Sequence, residues 1–350
     1  MRRRRALAAL ATALAGPAAH AHAQVRVKYL QGTLRREVRF TGTGGAALAG
    51  TLLLPLISDI QYVPGVVLVA GSGPTDRDGN NPLVPVRIDV LKQIAELLAR
   101  AGIASLRYDK RGIGASTAPP HGNLEEQERF FAWDRFVGDV QAAHAELLRH
   151  DEIKPYATAL LGHSEGALLS LAAIQAMGTS PGTKAGKRAP YALVLASPPG
   201  LPLQRIVHDQ IERNGPKLLA SADRIMAAIL ETGHVPADAP AELRLIFPAY
   251  GGPFFKSALT FDPAKAAAGI DTACLMLHGG ADVQIVPMGD IQPLIDALAA
   301  RGKPGEVLVA PQVSHNLKAI SGPDDPGFAG PSAPAIADKL SSWLAFVLGA

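Results

Sequence analysis

Cysteine is almost missing from this chain of 350 residues: Cys274 is the only one. One thiol excludes an intrachain disulfide framework and any cysteine-based metal centre. Aromatic residues are also scarce, at 5%, so a local cluster of them carries information. No G-x-G-x-x-G follows a strand-like run and there is no Walker sequence, which removes the usual nucleotide cradles. No group of His, Cys and Asp residues has metal-ligand spacing. Asp76-x-Asp78-x-Asn80 imitates the start of a calcium loop, but Asn81 stands where the turn glycine belongs and Arg87 where the bidentate acid belongs, so the match fails. No metal or cofactor is expected. Internal repeats and heptad runs are absent as well.

An excess of one charge is missing once the N-terminus is set aside. The formal net charge is +3, and Arg2 to Arg5 account for more than all of it. The remainder is close to neutral and offers no nucleic-acid footprint. Residues 1–23 read as a secretory signal. The arginines form its charged region, Ala6 to Ala15 its apolar region, and Ala21-His22-Ala23 a small-x-small cleavage site. Cleavage is expected before Gln24, with Ala19 and Ala21 as neighbouring options. The apolar run is too short to span a bilayer and is broken by Gly16-Pro17. Beyond the arginines nothing matches a twin-arginine signal, so general secretion is expected, to a periplasmic or secreted location without a membrane anchor.

What is present is an alternation of short apolar runs and helical patterns. Residues 35–40 and 49–55 read as a hairpin, and strands are predicted near 65–70, 103–108, 157–163, 191–197, 272–278 and 306–310. Helices are predicted near 84–101, 130–149, 165–177, 288–302 and 333–348. This alternation predicts an α/β protein with a mostly parallel sheet covered on both faces. Residues 117–129 are rich in Pro and charge and read as a surface loop. About seventy residues separate Gly200 from Thr272, far more than a usual connection. They show helical patterns at 202–214, 217–231 and 241–248.

One pentapeptide carries chemistry. Gly162-His163-Ser164-Glu165-Gly166 lies between the strand-like Ala157–Leu161 and the helix-like Ala167–Ile174. A G-x-S-x-G in that context is a nucleophile elbow, a strained turn that projects its serine above the sheet. Its glycines are required where a Cβ would strike the neighbouring strand or helix. A serine hydroxyl needs a base, and the base an orienting acid. In this type of site the chain order is Ser, then Asp or Glu, then His. Asp282 follows the strand-like run 272–277 and a Gly-rich turn, and His315 is the only histidine after it. Both stand where parallel strands end, the place where such folds gather their reactive groups. The oxyanion donors are expected to be the N–H of Glu165 and an N–H in Gly71-Ser72-Gly73-Pro74. Gly73 is preferred there, with Ser72 as the alternative.

These motifs resemble those of serine esterases of the α/β-hydrolase superfamily. The resemblance is greatest to a bacterial branch with G-S-G-P-x-D-R-D-G-N in the oxyanion loop and G-H-S-E-G at the elbow, here Gly71–Asn80 and Gly162–Gly166. Arg107–Gly114 and Ala281–Pro287 also fit that branch, whereas His315-Asn316-Leu317-Lys318 departs from its usual His-Leu-Phe type. The likeness runs from about residue 35 onward. It implies an α/β-hydrolase fold with a helical cap insertion, divided as signal 1–23, core 24–200, cap 201–270 and core 271–350. It further implies hydrolysis of a small-molecule carboxylic ester through Ser164, His315 and Asp282. Asp76, Arg77 and Asp78, with Arg107, Asp109 and Arg111, are expected to pin the loops by salt bridges. Phe247, Tyr250, Phe254 and Phe255 lie in the cap segment, and the last three are candidates for lining the substrate pocket, unless they pack the cap onto the core. A peptidase, amidase or thioesterase with the same triad is the runner-up, and a silent binding protein of this fold is the rival from another class.

Overall fold

Aliphatic runs bounded by Gly, Pro and polar turns build a single sheet. The computed structural model describes residues 29–57, 62–178 and 189–350; the predicted export signal lies outside the described residues. The strands are β1 (Tyr29–Thr41), β2 (Ala47–Ile57), β3 (Val63–Val69), β4 (Ala104–Tyr108), β5 (Ile153–His163), β6 (Ala192–Ala196), β7 (Ala273–Gly279) and β8 (Gly305–Ala310). Their order across the sheet is β1-β2-β4-β3-β5-β6-β7-β8. The β1–β2 and β2–β4 pairs are antiparallel and the others parallel. All six strands from β3 to β8 therefore run the same way, and their carboxyl ends share one edge of the sheet.

Side chains of a strand alternate between faces, and here each face has its own core. Val67 and Val69 of β3, Leu160 of β5, Leu193 and Leu195 of β6, and Cys274 and Met276 of β7 pack on one face. Val66 and Leu68, Ala159 and Leu161, Val194 and Ala196, and Leu275 and Leu277 pack on the other. The first face is covered by α3 (Trp133–Leu147) and α4 (Glu165–Met177), the second by α1 (Val90–Arg100) and α11 (Pro334–Leu348). Helix α4 is buried at every position from Glu165 to Ile174, the pattern of a helix apolar all round.

Several boundaries differ from the sequence reading, each for a local reason. Helix α1 begins at Val90 rather than near 84, because Asn80 Oδ1 accepts the N–H groups of Ile88 and Asp89 and holds the preceding segment as a loop. The expected surface loop 117–129 contains α2 (Leu124–Phe130). Asn123 caps it by accepting from Glu126 N, and Glu125 and Glu126 favour its positive N-terminal end. The helix expected at 288–302 is split into α9 (Pro287–Asp290) and α10 (Gln292–Ala300), with Pro293 starting the second piece.

Between β6 and β7 run α5 (Leu203–Asn214), α6 (Leu219–Thr232), α7 (Gly252–Ala258) and α8 (Pro263–Ala268). The helix expected at 241–248 is reduced to a 3₁₀ turn, Ala241–Leu243, bracketed by Pro240 and Pro248. Ile211, Ile225, Met226, Ile229, Leu243 and Phe247 form a third, smaller core within this insertion. Ala258, Ala266, Ala267 and Ile270 instead join the α3–α4 core, so the last part of the segment 201–270 packs as part of the main body.

His144 of α3 is buried and its Nε2 meets Thr158 Oγ1 at 2.9 Å. Burial pushes its pKa from 6.5 down to about 4, so the folded chain favours the neutral ring. The resulting stability is present above pH 6.5 and is lost as pH falls toward 4, because the unfolded chain binds a proton that the folded chain refuses. The full effect is about 3 kcal/mol. In urea titrations between pH 7 and pH 4.5, His144→Gln is expected to show a flatter loss of stability than wild type. Identical slopes would rule out His144 as a source of the acid sensitivity.

Candidate active site

The chain reverses direction at Ser164, between β5 and α4. Ser164 has φ 55° and ψ −124°, a region that a non-glycine residue enters only when its surroundings force it. Its N–H donates to Ala196 O at 2.8 Å, and its carbonyl accepts from Ala167 N at 2.9 Å. A Cβ on Gly162 would overlap the backbone of Gly166 and Ala167, and one on Gly166 would overlap the carbonyls of Val69 and Ala70 at the end of β3. Both glycines are there because backbone passes through the space a side chain would need.

Asp282 lies in the turn after β7 and is buried. Its Oδ1 accepts from Gln284 N at 2.8 Å and Ile285 N at 2.9 Å, and its Oδ2 accepts from His315 Nδ1 at 2.7 Å. Burial alone would raise the carboxyl pKa, but the imidazole of His315 and the Ile285 N–H outweigh it and hold it below the ordinary carboxylate value. His278 Nε2 stands 3.5 Å from the same Oδ2 and 3.0 Å from Ile285 O. Gly279 lets this turn cross the one carrying His315, since a Cβ there would overlap the carbonyls of Val313 and Ser314.

His315 is held by its backbone. Its carbonyl accepts from His163 Nε2 at 2.9 Å and from Ser197 Oγ at 2.8 Å. The rings of His163 and His315 are 5.0 Å apart, which brings the imidazole alongside the residue preceding Ser164. No hydrogen bond joins Ser164 Oγ to His315 Nε2; the ring is held through Nδ1 instead. Burial, reinforced by the neighbouring His315, lowers the pKa of His163 to about 4, so at neutral pH His163 adds no positive charge next to the second imidazole. Ser197 was not singled out in the sequence. Its only signal was a position just past β6, and its φ of 47° is visible only in the fold.

The charged side chains of the loop after β3 are all engaged, some within the loop and some with neighbouring elements. Asp76 Oδ1 accepts from Asp78 N and Asn80 N, both at 2.9 Å. Asp78 pairs with Arg107 at 2.8 Å, and Arg77 with Asp109 at 2.8 Å and Glu37 at 2.7 Å. Arg111 instead forks onto Asp139 of α3. Thr75 Oγ1 donates to Ser72 O at 2.7 Å, and Gly73 adopts φ +66°. A cavity of about 470 Å³ lies between Thr43–Ala46 and Arg111, Arg129 and Arg135, and none of Ser164, Asp282 and His315 lines it.

Tyr250, Phe254 and Phe255 come together at the seam between the insertion and α2–α3. Tyr250 stacks on Phe131 at 4.5 Å, Phe254 meets Trp133 at 5.4 Å and Phe136 at 5.5 Å, and Phe255 meets Phe247 at 5.2 Å. All three are half-buried, and these contacts fasten one core to the other. One arrangement was not visible as metal-ligand spacing in the sequence: His208, Asp209 and Glu212 of α5 bring ligand atoms within 4.8 Å of one another. His208 is engaged with Asp223, and Asp209 with Arg205, each at 2.8 Å.

The sheet order, the helices on both faces and the strand–turn–helix at Ser164 define an α/β-hydrolase fold. Esterase Pf2001 of Pyrococcus furiosus shares it with a TM-score of 0.57 at 15% identity, covering 90% of this chain and 91% of that one. Acetyl xylan esterase 1 of Thermoanaerobacterium sp. JW/SL YS485 does so with a TM-score of 0.55 at 16% identity, covering 92% and 87%. A family model described as serine aminopeptidase, S33, matches residues 87–242. Esterase EstD of Thermotoga maritima is 30% identical over 223 residues, 63% of this chain and 47% of the relative. The chain thus spans about half the length of that curated relative.

The packing at the elbow makes a specific expectation. Gly166→Ala should destabilise the protein by roughly 1–3 kcal/mol through overpacking against β3. Gly289→Ala, within α9 where a Cβ meets nothing within 4 Å, should leave stability unchanged or raise it by up to about 1 kcal/mol. Thermal unfolding of the two variants beside wild type checks this, and equal midpoints would show that the elbow tolerates a side chain.

Proposed function

We propose that the protein is a serine hydrolase that cleaves carboxylic esters through Ser164, His315 and Asp282. The observation that carries this reading is the 2.7 Å bond from His315 Nδ1 to Asp282 Oδ2 beside the elbow. With Nδ1 donating its proton, the lone pair left on the ring is at Nε2, the tautomer a general base needs. Ser164 Oγ attacks the ester carbonyl while Nε2 takes its proton, and Asp282 stabilises the imidazolium. The N–H groups of Glu165 and Gly73 receive the oxyanion. The tetrahedral intermediate collapses as His315 returns the proton to the leaving alcohol. Water, activated by the same nitrogen, attacks the acyl-enzyme and frees the acid and Ser164.

Esters are preferred because the chain is similar to proteins named as esterases, EstD and Pf2001. Amide or peptide cleavage is the second reading, favoured by the aminopeptidase family model over residues 87–242; thioesters fit the same mechanism. A substrate-lining role for Tyr250, Phe254 and Phe255 rests on their half-buried rings at the seam. The reading also includes export, on the strength of the N-terminal pattern.

Hydrolysis of p-nitrophenyl esters from acetate to palmitate is the test, on wild type, Ser164→Ala and Asp282→Asn. Ser164→Ala should lose at least about 10³-fold in kcat and Asp282→Asn about 10³–10⁴-fold. Wild type should be labelled at Ser164 by a fluorophosphonate. Activity surviving in Ser164→Ala would sink the mechanism, and faster turnover of aminoacyl p-nitroanilides than of any ester would move the assignment to a peptidase.

A further inference from the structure

An ammonium group is costly to bury unless it is paired, yet Lys110, just past β4, is only 4% exposed. Its Nζ donates to Gly71 O at 2.5 Å and lies 3.7 Å from Glu165 Oε1. Gly71 opens the loop after β3, and Glu165 follows Ser164 at the end of β5. One side chain therefore ties together the ends of three adjacent strands, and both of its partners belong to the segments that carry the proposed oxyanion donors. The carbonyl of a trans peptide points opposite to the N–H of the next residue. The bond that holds Gly71 O thus also sets the direction of the Ser72 N–H and of the chain entering Gly73. The held peptide is packed on the elbow, since a Cβ on Gly71 would lie 3.3 Å from Ser164 Cβ.

We propose that Lys110 is a positioning residue for the oxyanion site, holding the Gly71–Gly73 loop and Glu165 at a fixed separation. This rests on the serine hydrolase reading above. Donors aimed in advance at a developing charge act without reorganisation during the reaction, and losing one outright costs about 10²–10³-fold in kcat. Loosening their support should cost less.

The experiment compares wild type, Lys110→Met, Glu165→Gln and the double variant. It measures kcat and KM for a p-nitrophenyl ester, active sites titrated with a fluorophosphonate, and thermal midpoints. Lys110→Met is expected to lower kcat per titrated site by roughly 10–100-fold, a fraction of the loss of a whole donor, with KM changed less than about threefold. Each single variant also leaves one buried charge without its partner and should melt earlier. The double variant removes both charges, so its midpoint should recover while its kcat stays low, because Gly71 O is still unheld. Should a single variant fail to fold, the double variant alone decides. An unchanged kcat per site in Lys110→Met, or a kcat that recovers with the midpoint in the double variant, would overturn the proposal. A wild type with neither turnover nor label at Ser164 would remove the hydrolase reading and this inference together, an outcome read before any Lys110 variant is made.

Discussion

Ser164 sits in a backbone conformation that costs a side-chain-bearing residue of order 1–3 kcal/mol, and much of the surrounding structure is arranged to keep it there. Its N–H is captured by Ala196 of the next strand, and its carbonyl starts α4. Helix α4 can follow so abruptly only because Gly166 lets the backbone press against the β3 carbonyls. That close approach goes with a helix buried on all sides as far as Ile174 and a β5 that lies inside the sheet, between β3 and β6. The strained residue thus sits between a helix buried from Glu165 to Ile174 and a central strand buried through most of its length.

Around the carboxyl ends of the strands, buried charge is handled by pairing. Asp282 is kept ionised by two backbone N–H groups and an imidazole despite its burial. Arg77 with Asp109, and Arg111 with Asp139, join the loops after β3 and β4 to each other and to α3. Lys318 donates to the carbonyls of Ile88 and Phe328 at 2.5 Å and 3.0 Å, which anchors the turn bearing His315 to the segment before α1. Polar groups that would be expensive alone in a low-dielectric setting become fasteners once satisfied, and loops fixed in this way behave as rigid extensions of the strands.

The central sheet was legible in the sequence because buried parallel strands are short aliphatic runs closed by Gly or Pro, as in 65–70 and 272–278. Ser164, Asp282 and His315 could be picked out by spacing and chain order. The structure brings the acid and the histidine into direct contact and sets the histidine beside the elbow. What stayed hidden depends on three dimensions. The capping of α2 by Asn123 was obscured by neighbouring prolines. Residues 241–248 carry a helical periodicity that prolines at both ends cut to one turn. Ser197 and Lys110 act through hydrogen bonds to carbonyls 118 and 39 residues away in the chain, and no local pattern announces a contact of that range.

The hydrogen bond between His163 and the carbonyl of His315 spans 152 residues. Closing a loop of that length carries an entropic cost that must be met before the contact repays it. The elbow makes its contacts with β3 and β6, whereas His315 is carried by the turn after β8, at the far side of the sheet. The two halves of the proposed site are thus set by different parts of the sheet, and the bond from His163 is the fastener that couples them.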